Sequence, residues 1–172
     1  FRYVHHSINK GQLIYNSVMS SPGEVILANK GVLFIDECCE FKRADLELLR
    51  EPMENRKITV IRDGVSYDFD SDFLMVAATN PCKCGMFLED DVRCTCTPSI
   101  RKRYQNKLSG PFLDRIDLFT EMKNINAQGL KEMLELSQKN NQNSYYKEQV
   151  IRVWETSKER YKNLNGKYNA RI

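Results

Sequence analysis

The 172 residues contain no G-x-x-x-x-G-K-[ST] string, the glycine-rich turn whose backbone N–H groups wrap a nucleotide's phosphates. The single Gly-Lys pair, Gly166-Lys167, has Tyr161 where the first glycine is required and Tyr168 after the lysine. A phosphate-binding loop within these residues is therefore excluded. No apolar run approaches the roughly 20 residues of a membrane span, and the first residues do not form a signal peptide. A cytoplasmic setting with no membrane partner is expected. The formal charge of +3 is too small to argue for nucleic acid by itself. There is no internal repeat, and the only biased tract is the Asn/Gln-rich stretch at 138–144. The chain does not start with Met and opens and closes in mid-pattern, so it is expected to be part of a longer reading frame.

What is present is ordinary globular material: 41% hydrophobic and 28% charged residues, enough for one domain or a domain with an appendage. Residues 1–4 start extended, and 24–28 can form one helical turn before Asn29-Lys30-Gly31 stops it. The apolar run 32–35 then ends abruptly in Asp36 and Glu37. Two adjacent carboxylates at the end of a buried strand cost several kcal/mol if desolvated without a cation or hydrogen-bond donors. Alone, the run admits two readings: acids that hold Mg²⁺ and a water, or a strand that stops at a solvated turn.

Leu46, Leu49 and Met53 have the spacing of one helix lying on a core. Asp63-Gly64 between the alternating runs 58–62 and 65–69 predicts a hairpin, because both turn residues need positive φ. Residues 73–78 form a second apolar strand ending in Thr79-Asn80-Pro81, and 115–122 read as a third. Apolar strands separated by helices predict an α/β fold with a parallel sheet covered on both faces. From 126 onward the pattern turns helical: Leu130, Met133 and Leu134 share one face, 138–144 reads as a loop, and Val150, Val153, Trp154 and Tyr161 form a second stripe.

The strings PGEVILANKGVLFIDE (22–37), FKRADLELLREPME (41–54), AATNPCKCG (77–85), CTCTPS (94–99) and SGPFLDRID (109–117) occur in this order. Together they resemble the magnesium-chelatase-like AAA+ ATPases, and within them the ComM/YifB branch more than the chelatase subunit proper. The resemblance runs from Phe1 to about Glu121 and, more weakly, beyond. It implies a partial AAA+ P-loop NTPase core over 1–125, with an inserted β-hairpin, and the start of a C-terminal helical lid over 126–172. By the same resemblance, ATP and Mg²⁺ are the cofactors of the intact parent. Asp36 would hold the water shell of Mg²⁺, Glu37 would orient or deprotonate the attacking water, and Asn80 would be the sensor that reaches the γ-phosphate. Arg115 would be the arginine finger completing a neighbouring subunit's site, in a ring expected to be a hexamer. The family's phosphate loop would lie upstream of Phe1 and its second sensor arginine beyond Ile172, so this chain alone is expected neither to hydrolyse ATP nor to bind it tightly.

Structural alternatives stand beside each role. Asn80 can cap or turn the chain before Pro81, Arg115 can pair with Asp114 or Asp117, and Glu37 can offset a helix dipole. By the same resemblance the hairpin at 57–69 corresponds to one that in related rings points into the pore and can touch DNA; here Lys57 and Arg62 are offset by Asp63 and Asp68, and a plain structural hairpin is the alternative. The parent is expected to be a DNA-acting motor of recombination or transformation, with two rivals: a chelatase-type remodeller of a protein partner, or an interaction module that uses no nucleotide.

Six cysteines complete the reading. Cys82-x-Cys84 and Cys94-x-Cys96 flank a short polar loop and could hold a tetrahedral structural Zn²⁺, against the alternative of metal-free thiols. Cys38 and Cys39 read as packing residues. His5 and His6 match a histidine pair of the family, yet nothing local makes them ligands, and a surface or packing role is expected.

Overall fold

A computed structural model describes residues 1–88, 93–122, 129–131, 134 and 142–160. The chain separates into two compact units, Phe1–Lys123 and Asn124–Ile172.

The first unit is built on a three-stranded parallel sheet of β1 (Arg2–Val4), β4 (Val32–Ile35) and β7 (Leu74–Ala77), with β4 in the middle. The register aligns Val4 with Ile35 and Ile35 with Ala77. Because side chains alternate across a strand, Val4, Leu33 and Ile35 share one face and are fully buried. They pack with Leu13, Val25, Phe41, Leu46, Leu49 and Phe112 in one core. The elements that supply these residues are α1 (Lys10–Leu13), α2 (Glu24–Leu27), α3 (Arg43–Glu47) and α6 (Gly110–Leu113), together with the turns beside them. The paired strands β2 (Tyr15–Asn16) and β3 (Ser21–Pro22) join α1 to α2. Arg2 clamps α2 to the sheet by donating Nε–H and Nη2–H to the two oxygens of Glu24, at 2.5 and 2.8 Å. Gly23 starts α2 where a Cβ would stand 2.5 Å from the backbone of Ile14, so no larger residue fits there.

The opposite face differs from the expectation. Phe1, Tyr3, Leu74 and Val76 are exposed there, and only the stacked rings of Phe1, Tyr3 and Phe34 cover one another. The sheet is covered on one face among the described residues, because every helix of this core packs against the Leu33–Ile35 side.

Two further readings change. The stripe Leu46, Leu49, Met53 lies on two short helices, α3 and α4 (Arg50–Asn55), rather than one. Pro52 explains the break: it has no N–H to give to the Leu48 carbonyl, and the chain tightens instead through Leu48 N–H to Asp45 O and Leu49 N–H to Leu46 O. Residues 115–122 form no strand. Ser109 caps α6, the turn continues through Arg115 N–H to Phe112 O, and Leu118, Phe119 and Met122 then run exposed, paired with no strand among the described residues. Among the described residues the sheet therefore has three strands.

The hairpin forms as read, with β5 (Lys57–Arg62) and β6 (Val65–Asp70) in antiparallel register. Asp63 and Gly64 take φ of 51° and 76°, as a tight hairpin turn requires. Its base is rooted in the core by Ile58 and its tip is exposed at Ile61 and Val65. Helix α5 (Pro98–Gln105) opens on the Thr97 cap.

In the second unit, α7 (Gln142–Arg160) carries Val150, Val153 and Trp154 exposed. Helix begins at residue 142, inside the stretch read as a loop, while 138–141, Met133 and Tyr161 lie outside the described residues. No helix among the described residues is long and apolar enough to cross a membrane.

Candidate functional site

The carboxyl ends of the parallel strands converge on one edge, where Asp36 and Glu37 leave β4 and Thr79 and Asn80 leave β7. Two backbone bonds tie these exits together: Ala78 N–H to Ile35 O at 2.9 Å and Cys38 N–H to Ala78 O at 2.8 Å. Cys39 N–H adds a bond to Thr79 Oγ1 at 3.3 Å. Cys38 and Cys39 are buried, as expected of packing residues, and burial pushes the Cys38 thiol up to about 12.

Both oxygens of Asp36 are engaged. Oδ1 accepts the Glu37 backbone N–H at 2.9 Å and Oδ2 accepts the Tyr3 hydroxyl at 3.0 Å. That bond raises the Tyr3 phenol above its ordinary range. The carboxylate is thereby held in one orientation while remaining partly exposed, which suits a hard cation gripped through its water shell. Glu37 takes φ 49° and ψ 45°, the left-handed region, in a residue that has a Cβ. It opens the short 3₁₀ turn Cys38–Glu40, and its side chain makes no capping bond there. Instead its Oε2 lies 2.9 Å from His6 Nδ1 and 3.6 Å from His5 Nε2.

His5 and His6, expected to have a surface or packing role, instead stand against Glu37, a placement that sequence reasoning missed. The signal was in the register: Arg2, Tyr3 and Val4 pair with Leu33, Phe34 and Ile35, and the same offset continued places His5 and His6 beside Asp36 and Glu37.

Asn80 is exposed just past β7, and among the described residues its side-chain amide has no hydrogen-bond partner. Arg115 follows α6 and pairs with the Glu54 carboxylate of α4 rather than with Asp114 or Asp117, while a second N–H donates to Pro111 O at 2.5 Å. Lys57 is exposed on the hairpin, and Arg62 contacts the Ser20 hydroxyl and lies 3.4 Å from Asp63.

A second cluster sits beyond β7. The sulfurs of Cys82, Cys84, Cys94 and Cys96 all lie within 4.8 Å of one another, with separations of 3.3, 3.6 and 3.8 Å among the first three. Tetrahedral Zn²⁺ with Zn–S near 2.3 Å separates its sulfurs by about 3.8 Å. Gly85 turns the chain at φ 82° directly after Cys84 and donates its N–H to Cys82 O at 3.0 Å. Hydrogen bonds from the Met86 backbone and from Cys82 lower the Cys84 thiol to about 5, whereas burial pushes Cys94 to about 11 and raises Cys96. A dication favours the deprotonated form of every sulfur that it binds. The donor set fits zinc.

A parallel sheet with acids leaving its central strand, a polar tip on the next strand and helices on one face is a partial core of the P-loop NTPase class. Comparison with known proteins is more specific. The family described as magnesium chelatase, subunit ChlI, matches residues 1–130. The chain is 36% identical over 171 residues to the uncharacterized protein YifB of Salmonella typhimurium, covering 99% of the chain and 33% of that protein. It is 35% identical over 171 residues to the competence protein ComM of Haemophilus influenzae, again 99% and 33%. To YifB of Escherichia coli it is 43% identical over 122 residues, 71% of the chain and 24% of that protein. The chain belongs to the magnesium-chelatase-like family of AAA+ ATPases, in its ComM/YifB branch. It spans about a third of the length of the first two of these relatives.

Proposed function

We propose that this chain carries the hydrolytic half of an ATP site in a Mg²⁺-dependent, cytoplasmic AAA+ ring motor, hexameric and acting on DNA. The observation that supports this most is the clamped edge on which Asp36, Glu37 and Asn80 leave adjacent parallel strands. When bound, Mg²⁺–ATP supplies the electrophilic phosphorus and the cation that neutralises its charge. Asp36, oriented by Tyr3, receives the cation's water shell. Glu37 orients the attacking water and accepts its proton, and Asn80 offers an unengaged amide to the terminal phosphate. Arg115 stabilises charge in a neighbouring subunit's site, where such a group is worth about 10³-fold or more in rate. The four cysteines hold Zn²⁺ as a staple for the loop after Asn80. The resemblance to a protein named for competence supports DNA as the substrate.

The test is ATP hydrolysis by the full-length protein, with and without DNA. Glu37→Gln should abolish turnover while nucleotide binding persists, and unchanged turnover would refute the assignment. DNA binding should fall steeply with salt and weaken when Lys57 and Arg62 are both reversed to Glu. A second reading, remodelling of a protein partner, is favoured by the 31% identity over 78 residues to the magnesium-chelatase 38 kDa subunit of Rhodobacter capsulatus. Turnover stimulated by protein but indifferent to DNA would select it. Partner binding that needs the zinc loop and no nucleotide would instead select the interaction module.

A further inference from the structure

His5, His6 and Glu37 make a second constellation of ligands at the strand edge, separate from the cysteine cluster. Three donor atoms, one from each residue, lie within 4.8 Å of one another. The measured separations from Glu37 Oε2 are 2.9 Å to His6 Nδ1 and 3.6 Å to His5 Nε2. Zinc bonds of about 2.0–2.2 Å in a tetrahedron set neighbouring ligand atoms about 3.3–3.6 Å apart. The group is thus close to the size of such a shell before any ion enters it.

Three further features point the same way. His6 Nδ1 is shut off from solvent and makes no hydrogen bond, and the Glu37 Oε2 stands 2.9 Å away as an ion-pair partner. A buried imidazole nitrogen without a hydrogen bond is a cost that a cation in the gap removes. The His6 ring is set by an edge-on contact with buried Phe41, its centroid 6.5 Å away. His5 Nδ1 lies 3.0 Å from Ser7 Oγ. The Ser7 backbone N–H also approaches Nδ1, at 3.4 Å, and the two contacts fix the ring with Nε2 toward Glu37, as an outer-shell partner sets a metal-binding imidazole. Finally, Glu37 reaches this position only through a left-handed backbone.

We infer that His5 Nε2, His6 Nδ1 and the Glu37 carboxylate form a three-ligand site for a divalent transition cation of the zinc type, with a water completing the shell. Two imidazoles select such a cation over Mg²⁺, which prefers oxygen. All three side chains are partly exposed, although the His6 Nδ1 atom itself is covered. A cation held here occupies the Glu37 carboxylate, so occupancy and activation of a water by Glu37 exclude each other. That consequence rests on the ATPase reading, whereas the site itself does not.

Co²⁺ titration of the metal-stripped chain tests the site apart from any hydrolysis. Two classes of binding are expected: one with thiolate-to-cobalt charge transfer, from the four cysteines, and one with weak visible bands and no charge transfer. The paired substitution His5→Asn and His6→Asn should keep the first class and weaken the second by about 100-fold or more, since losing a mere outer-shell partner already costs about 10- to 100-fold. Glu37→Gln should weaken the second class as well, and excess Mg²⁺ should not displace it. The thiolate class reports that the variant is folded; should the pair disrupt it, His5→Asn alone, on the more exposed ring, takes its place. Uptake by the thiolate class alone overturns the inference. So does a second class unchanged in the histidine variants, or one abolished only by Asp36→Asn.

Discussion

Replacing Glu37 by glycine and by alanine separates backbone strain from side-chain chemistry. Both variants lose the carboxylate and its contacts with His5 and His6, which at this exposure are worth about 0–1 kcal/mol. That loss cancels in the comparison. What remains is the left-handed conformation at φ 49° and ψ 45°. A residue with a Cβ is disfavoured there by about 1–2 kcal/mol, and alanine keeps that cost while glycine does not. Glycine gives back about 0.4–1 kcal/mol because its unfolded chain is freer. The net expectation is that Glu37→Gly is more stable than Glu37→Ala by about 0.5–1 kcal/mol. At an ordinary position the order is the reverse, by about the same amount. The assay is urea unfolding of both variants at equal metal content, read at the midpoint with the slope unchanged. Alanine equal to or more stable than glycine would refute the strain argument. It would also mean that position 37 relaxes out of the left-handed region, so that the carboxylate is not aimed by the backbone.

Arg115→Ala should lower stability by about 1 kcal/mol or less, since its partner Glu54 is largely exposed, yet reduce turnover of the assembled full-length ring by about 10³-fold; equal losses in both would make it merely structural. Asp72 accepts from Lys30 Nζ at 2.7 Å, and this bond, then Arg56, holds its carboxyl below the usual range. A depressed acid stabilises fully above its unfolded value near 3.8 and loses that contribution as pH falls through its folded value. Asp72→Asn should therefore be less stable than the parent chain above about pH 4 and converge with it in stronger acid, measured by unfolding midpoints against pH; a constant gap would exclude the linkage. Chain purified without chelator should hold one tightly bound zinc, and Cys84→Ser should lose it; wild-type protein lacking tight zinc would remove the staple.

The sequence announced some elements because their signals are local. The apolar run 32–35, the Asp63-Gly64 turn and the strand before Thr79 each carry their own periodicity or turn chemistry. The split at Pro52 has a local signal too, a missing N–H that opposes the apolar stripe. The mistaken strand at 115–122 shows the limit of composition: Ile116, Leu118 and Phe119 suit a strand, but a strand needs a neighbour, and none of the described residues pairs with them. Uncovered Leu74 and Val76 make the same point for the sheet's second face. Asp36 and Glu37 could be singled out because strand ends are visible in sequence. Their true neighbours, Tyr3, His5 and His6, became visible only through the pairing of β1 with β4, about thirty residues apart in the chain.

The bonds from Ala78 to Ile35 and from Cys38 to Ala78 also act as a ruler. They bracket Asp36 and Glu37 between two fixed points, and the left-handed kink at Glu37 is what lets two residues span the interval. The clamp itself depends on backbone groups, so it constrains the spacing here whatever the side chains do. Inserting or deleting a single residue between Ile35 and Cys38 would break the clamp to β7 and rotate the acids out of place. This segment is therefore one where a change of length breaks the fold even when both acids are kept.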